Sequence, residues 1–225
     1  MVVRWERSEL SENLETLKSY INSGRWPKAL KLARNAEFEK TFRDSAHYWF
    51  LRSLIEQLFG HPDGAPYCHR QAEACPDYSS NMEGDFIRDE ALKLIRRKKL
   101  RQASLLLEQV EPFHHGWNRK AVLLMSRGCL AYAKRDHAAA IAFFKNAEKH
   151  WHHMEQNNAP YDTQWRSNNR FHLLKALVAM QLDTKDIYAL IAKTDASAMH
   201  QRRARLITKH RWANRLDDLV VRCLS

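Results

Sequence analysis

GCLAYAKRDHAAAIAFFKNA, residues 128–147, is the stretch that decides the fold. A small residue, Gly128, is followed twelve positions later by Ala140, four further on by Phe144 and three after that by Ala147. Two helices joined by a tight turn can cross closely only where small side chains meet, so this spacing predicts a helix over 118–133, a turn at 134–137 and a helix over 138–154. The same pattern recurs upstream at a spacing close to 37 residues. It reads Ala91, Ala103, Leu107, Val110, then Ser53, Ala65, His69, Ala72, and first Leu17, Ala29, Ala33, Ala36. A fixed period of this length is the mark of stacked supersecondary units.

Working outward, the pattern predicts helix pairs over about 9–38, 44–76, 85–112, 118–154 and 165–196, all in one domain spanning 1–225. Leu10, Leu14, Leu17, Tyr20 and Ile21 form the first stripe, closed by Gly24, and Trp26 and Pro27 open a second helix that carries Ala29 to Ala36. Asp44 or Ser45 is the expected cap of the next helix and Gly60 its stop, with a turn at HPDGAP, 61–66. Asp85 is the expected cap of the third pair, which Pro112 ends. EQNNAPYDTQ, 155–164, is the longest break. The last helix, 197–224, places Leu206, Ile207, Trp212, Leu216, Leu219, Val220 and Cys223 on one face and has no following partner, so it is expected to cap the array.

Composition agrees with an all-α fold. Only 6 glycines and 6 prolines occur in 225 residues, and 44% of residues are hydrophobic, enough for a core. No window reaches the roughly 18 apolar residues of a membrane span. MVVRWERSELSENLE has no apolar run and is rich in acids, so neither a signal nor a transit peptide is expected. Four cysteines without regular spacing make no disulfide framework. A cytoplasmic location follows as the expectation.

Gly128, Ala131, Ala140, Phe144 and Ala147, with the Arg135–Asp136 turn between the helices, resemble the tetratricopeptide signature, and Trp49 stands where that signature opens in the second copy. The resemblance covers about 9–196 and is best at 118–154; the period here is longer than the family's roughly 34 residues. It implies a right-handed α-solenoid of helix pairs with a C-terminal capping helix, working as a protein- or peptide-binding module in an adaptor or regulatory role. In that family the first helix of each pair lines a concave groove. Carried onto this sequence, the groove positions are Lys18, Ile21 and Asn22, then His47, Phe50 and Leu54, then Arg88, Leu92 and Ile95, and last Val122, Met125, Cys129 and Tyr132. Such a strip suits a short helix or an extended peptide with apolar anchors and an acidic flank.

The net charge of +11 is unevenly spread. Residues 1–24 are slightly acidic, whereas 196–225 hold seven Lys/Arg against Asp217 and Asp218. Arg202, Arg203, Arg205, Lys209 and Arg211 cluster on the last helix as a candidate anion-binding face, which makes a nucleic-acid-associated protein the alternative function. The run Arg96 to Arg101 reads as a solvated turn. No phosphate loop, dinucleotide fingerprint or nucleophile elbow is present, so no enzyme activity, catalytic residue or cofactor is expected. His150 and His153 share a helix side but lack an evident third ligand, and Cys68, His69 and Cys75 lack zinc-site spacing, so no metal site is expected.

Overall fold

The computed structural model describes residues 7–22, 25–59, 63–113, 116–161, 163–193 and 198–209. Among these it is all helical, with twelve α-helices, one short 3-10 segment and no strand. No helix of the described residues is long and apolar enough to cross a membrane. The chain divides into two compact units, residues 1–86 and 87–225.

The first unit contains α1 (Arg7–Asn22), α2 (Trp26–Ala33), α3 (Ala36–Phe42), α4 (Ala46–Phe59), α5 (Gly64–Glu73) and the first turns of α6 (Ser80–Arg96). α1 packs on α2, and α4 packs on α5. Its core joins Leu17, Ala29, Ala33, Phe38, Tyr48, Trp49, Ile55 and Ala72. Pro27 sits in the first turn of α2, where no N–H is needed. The expected long second helix is in fact two. Asn35 adopts an extended conformation and its side chain accepts hydrogen bonds from the N–H groups of Glu37 and Phe38, so α3 starts afresh at Ala36, which is exposed. α4 begins after Ser45, but its first free N–H, that of Ala46, donates to Asp77 at 2.7 Å, a cap supplied from 31 residues away. α5 starts at Gly64, inside the stretch expected as a turn, and a Cβ there would lie 2.7 Å from a Glu56 oxygen. α6 starts at Ser80 and not at Asp85.

The second unit continues with α7 (Leu100–Val110), α8 (Trp117–Ala133), α9 (His137–Gln156), α10 (Thr163–Ala179), α11 (Lys185–Lys193) and α12 (Ala198–Lys209). α8 and α9 form the tightest pair. Gly128 is buried at their crossing, and a Cβ on it would lie 2.5 Å from the Phe144 ring. Asp136 caps α9 by accepting from the Ala139 N–H. The core here gathers Ala121, Met125, Ala140, Phe144, Trp151, Phe171, Leu174, Ile191 and Ile207. A neighbouring cluster holds Ala91, Ala103, Leu107 and Val110. Of the sixteen positions of the recurring pattern, only half-buried His69 and exposed Ala36 lie outside the buried set.

Four helix ends in this unit share one geometry without a glycine. Lys98, Arg135, Asn158 and Gln181 all have positive φ, between 50° and 67°. After α8 the Arg135 N–H donates to the Tyr132 carbonyl and the Asp136 N–H to that of Ala131; after α6, Lys98 and Lys99 donate to Ile95 and Leu94 in the same way. These are paired six-to-one and five-to-two bonds that use up the last carbonyls of each helix. Lys98 and Arg135 stand 37 residues apart, matching the spacing of the small residues.

α10 departs from the usual amphipathic helix. Arg166, Ser167, Asn169, Arg170 and Lys175 are buried along with Phe171, Leu173, Leu174, Ala176 and Leu177. Buried polar groups are the informative exceptions in a fold, and three of these, Arg166, Ser167 and Arg170, line a cleft.

Candidate functional site

A cleft of about 1020 Å³ opens between α9, α10 and α11 of the second unit. One wall comes from α9 with Lys145, Glu148, Lys149, His152 and Glu155, and the opposite wall from α10 with Arg166, Ser167 and Arg170. Leu173, Leu177, Ile187 and Leu190 form an apolar end, beside Asp183 and Asp186.

The spacing of four residues between Arg166 and Arg170 puts both guanidinium groups on one face of α10. Both converge on a single oxygen. Glu148 Oε1 accepts from Arg166 Nε at 2.9 Å and from Arg170 Nε and Nη2 at 3.0 and 2.6 Å. Glu148 Oε2 is buried without a hydrogen-bond partner, and so is the Ser167 hydroxyl. Arg166 also donates to the Tyr161 hydroxyl at 2.8 Å and to Glu155 at 3.3 Å, and lies over the Tyr161 ring. Burial disfavours the Arg166 charge, but Glu148 and Tyr161 outweigh it and raise its pKa. Burial likewise pushes Glu155 upward, and the Arg166 guanidinium overrides that and holds the carboxyl below its usual range. The lining thus sets Lys145, Lys149, Arg166 and Arg170 against Glu148, Glu155, Asp183 and Asp186 beside an apolar end, with the two guanidinium groups nearly buried.

The expected groove residues fall in both units. In the first, Lys18 is half-buried and pairs with Glu15 at 2.6 Å, and half-buried Phe50 meets Phe86 edge-on at 5.3 Å. His47 is half-buried; burial first, then Lys18, lowers its pKa. The Asn22 side chain lies outside the described residues. In the second unit, Arg88 and Met125 are only 3% and 2% exposed. Arg88 pairs with Asp89 at 2.8 Å and lies over Trp165, and Met125 belongs to the core, so neither side chain has surface to present. Tyr132 is half-buried between Lys175 and His137. On α12, Arg202, Arg205 and Lys209 are exposed while half-buried Arg203 lies over the Phe171 ring at 4.6 Å; Arg211 lies outside the described residues. In the basic run, Arg97, Lys98, Lys99 and Arg101 are exposed and Arg96 is half-buried.

The weaker clusters also resolve. Exposed Trp117 stacks near His150 and His153 at 5.0 and 4.4 Å. Burial, then Lys120 and His153, lowers the His150 pKa. Cys68 is buried and its thiol is pushed up to about 12, chiefly by desolvation. Cys75 donates to the Gln71 and Arg43 carbonyls and is pushed up as well. Neither cysteine is a ready thiolate, and neither joins His69. His69 instead faces Glu83, Glu73 and Tyr78: its Nε2 lies 3.1 Å from Glu83 and from the Tyr78 hydroxyl, and 3.7 Å from Glu73.

The cleft residues Arg166, Arg170, Glu148 and Ser167 escape the sequence reading because α10 has no clean apolar stripe. The available signal was the pair of arginines four apart in RSNNR. Compared with family models, with curated proteins and with solved structures, the chain finds no match.

Proposed function

We propose that this chain is a protein- or peptide-binding module built from tetratricopeptide-like helix pairs stacked as a right-handed solenoid, and that the α9–α10–α11 cleft seats its ligand. One observation carries the reading: the fixed Arg166–Arg170 pair with unpartnered Glu148 Oε2 and Ser167 Oγ, set beside an apolar end in a cleft of about 1020 Å³. Cavities near this size with a few convergent polar groups on apolar walls are what ligand sites look like. An occupant with an aliphatic or aromatic anchor would fill the end lined by Leu173, Leu177, Ile187 and Leu190. A carboxylate would find exposed Lys145 and Lys149 on the lining and reach Arg166 and Arg170 by displacing Glu148.

Selection of a random peptide display library on the immobilised full chain tests this. Enriched sequences should pair an apolar residue with a nearby carboxylate, and their affinity should fall at least about tenfold in Arg170→Met. Retained peptides whose affinity ignores both Arg170→Met and Leu173→Asp would sink the reading.

The alternative draws on exposed Arg202, Arg205 and Lys209 of α12. A nucleic acid held there should show a log–log salt slope of roughly 3 to 5, falling by roughly 2 to 3 when the three become Gln. Tight, nuclease-sensitive binding with that signature would put this second reading first.

A further inference from the structure

We propose that His69, Glu73 and Glu83 form a binding site for a borderline divalent transition-metal ion of the zinc, cobalt or nickel kind. The site lies wholly in the first unit and does not depend on the peptide-binding reading. His69 and Glu73 are four apart on α5, so one helix face presents an imidazole and a carboxylate together. Glu83 comes from the first turn of α6. One ligand atom from each lies within 4.8 Å of the others, with Nε2 3.1 Å from Glu83 and 3.7 Å from Glu73. Ligand atoms about 2.0–2.1 Å from a tetrahedral ion are roughly 3.3 Å apart, so small side-chain adjustments close the shell.

The surroundings support an oriented site. The His69 ring is stacked on Phe86, centroids 4.3 Å apart and 18° from parallel, which holds Nε2 toward the carboxylates. The Tyr78 hydroxyl donates to Glu83 Oε2, the oxygen that faces His69 Nε2, and lies 3.1 Å from Nε2 itself, so an ion would leave the Tyr78 hydroxyl beside its ligand shell and take Glu83 through either oxygen. Three protein ligands leave a fourth position for water. One nitrogen and two carboxylates favour a borderline ion over calcium or magnesium, which want six or more oxygens. The ligands bracket residues 74–79, so the ion would clip the end of α5 to the start of α6.

The test uses the full chain, stripped with chelator and then titrated with Zn²⁺ by calorimetry and with Co²⁺ by visible absorption. One equivalent should bind, raise the melting temperature and give a cobalt spectrum with mixed nitrogen and oxygen ligands. Glu83→Gln and His69→Gln should weaken binding at least about tenfold. Because His69→Gln also loses the Phe86 stack, Glu73→Gln provides the cleaner variant: its carboxylate is half-exposed, so the metal-free melt should stay put while affinity drops. Absence of binding at high-micromolar ion overturns the proposal. So does affinity that survives both glutamate substitutions, or a site lost in His153→Ala but kept in Glu83→Gln.

Discussion

Two arginine pairs, one in each unit, meet their carboxylates in different ways. In the first unit Glu56 gives both oxygens to Arg34, at 2.8 and 2.6 Å. Arg52 turns to Glu39 at 2.5 Å and to the Tyr48 hydroxyl at 3.1 Å, over the Trp49 ring. That network leaves Arg52 Nε buried without a hydrogen-bond partner, 3.7 Å from Glu56. In the second unit, Arg166 and Arg170 crowd onto one oxygen of Glu148, and the other has no partner. A buried polar atom left unsatisfied costs about 1–3 kcal/mol. The two clusters therefore differ in kind: the unpartnered atom of the first is a donor, Arg52 Nε, and that of the second an acceptor, Glu148 Oε2.

The strongest way to break this contrast is to remove each carboxylate. Glu148→Ala should cost about 3–5 kcal/mol, because it removes the carboxylate that both Arg166 and Arg170 hold, and each of those side chains is only 6% exposed. Glu56→Ala should cost less, about 1–3 kcal/mol, since Arg34 is 44% exposed and Arg52 keeps Glu39 and the Tyr48 hydroxyl. Urea unfolding of both variants checks it, and equal losses would erase the distinction.

The units also differ in their turns. Every non-glycine residue with positive φ among the described residues lies in the second unit. Arg135→Gly should stabilise that unit by about 0.5–1 kcal/mol, because an L side chain in the left-handed region crowds its own backbone. A lower melting temperature would mean that the Arg135 side chain does more than fill the turn.

Ser167→Ala sharpens the reading of the cleft. Deleting a buried hydroxyl with no partner should leave stability unchanged or raise it by up to about 1 kcal/mol. Ser126→Ala, which removes a 2.9 Å bond to the Val122 carbonyl, should lower stability slightly. If Ser167→Ala instead destabilises, the hydroxyl is part of the packing and the cleft loses one of its open groups.

The smallest effect expected is with pH, and it is shared by the units. His47 and His150 both have lowered pKa values, with burial as the first cause and a nearby lysine as the second. A histidine of this kind takes up its proton more readily when unfolded. Stability is thus complete above the unfolded value of about 6.5 and declines as pH falls below it, until the folded pKa is reached. Melting curves from pH 7.5 to 5 should show that decline, and His47→Gln should flatten part of it. An unaltered slope would remove His47 as a contributor.

The sequence alone determined that the chain is helical and where α8 and α9 cross. Gly128 against Phe144 follows from a spacing of twelve and four residues, since helical period and turn length act locally. The break at Asn35 was also legible in principle, as a capping residue ahead of Glu37 and Glu39, but the run of alanines through Ala36 masked it. Only the tertiary structure decided what the charged residues do. Asp77 caps α4 from 31 residues away, and Glu148 meets Arg166 and Arg170 across 18 and 22 residues. Arg88 and Met125 read as surface residues on their own helix, and packing against other helices made them interior. Side-chain periodicity tells which face of a helix is apolar; which partner covers a charge is set by contacts between segments distant in sequence, where no local spacing records the answer.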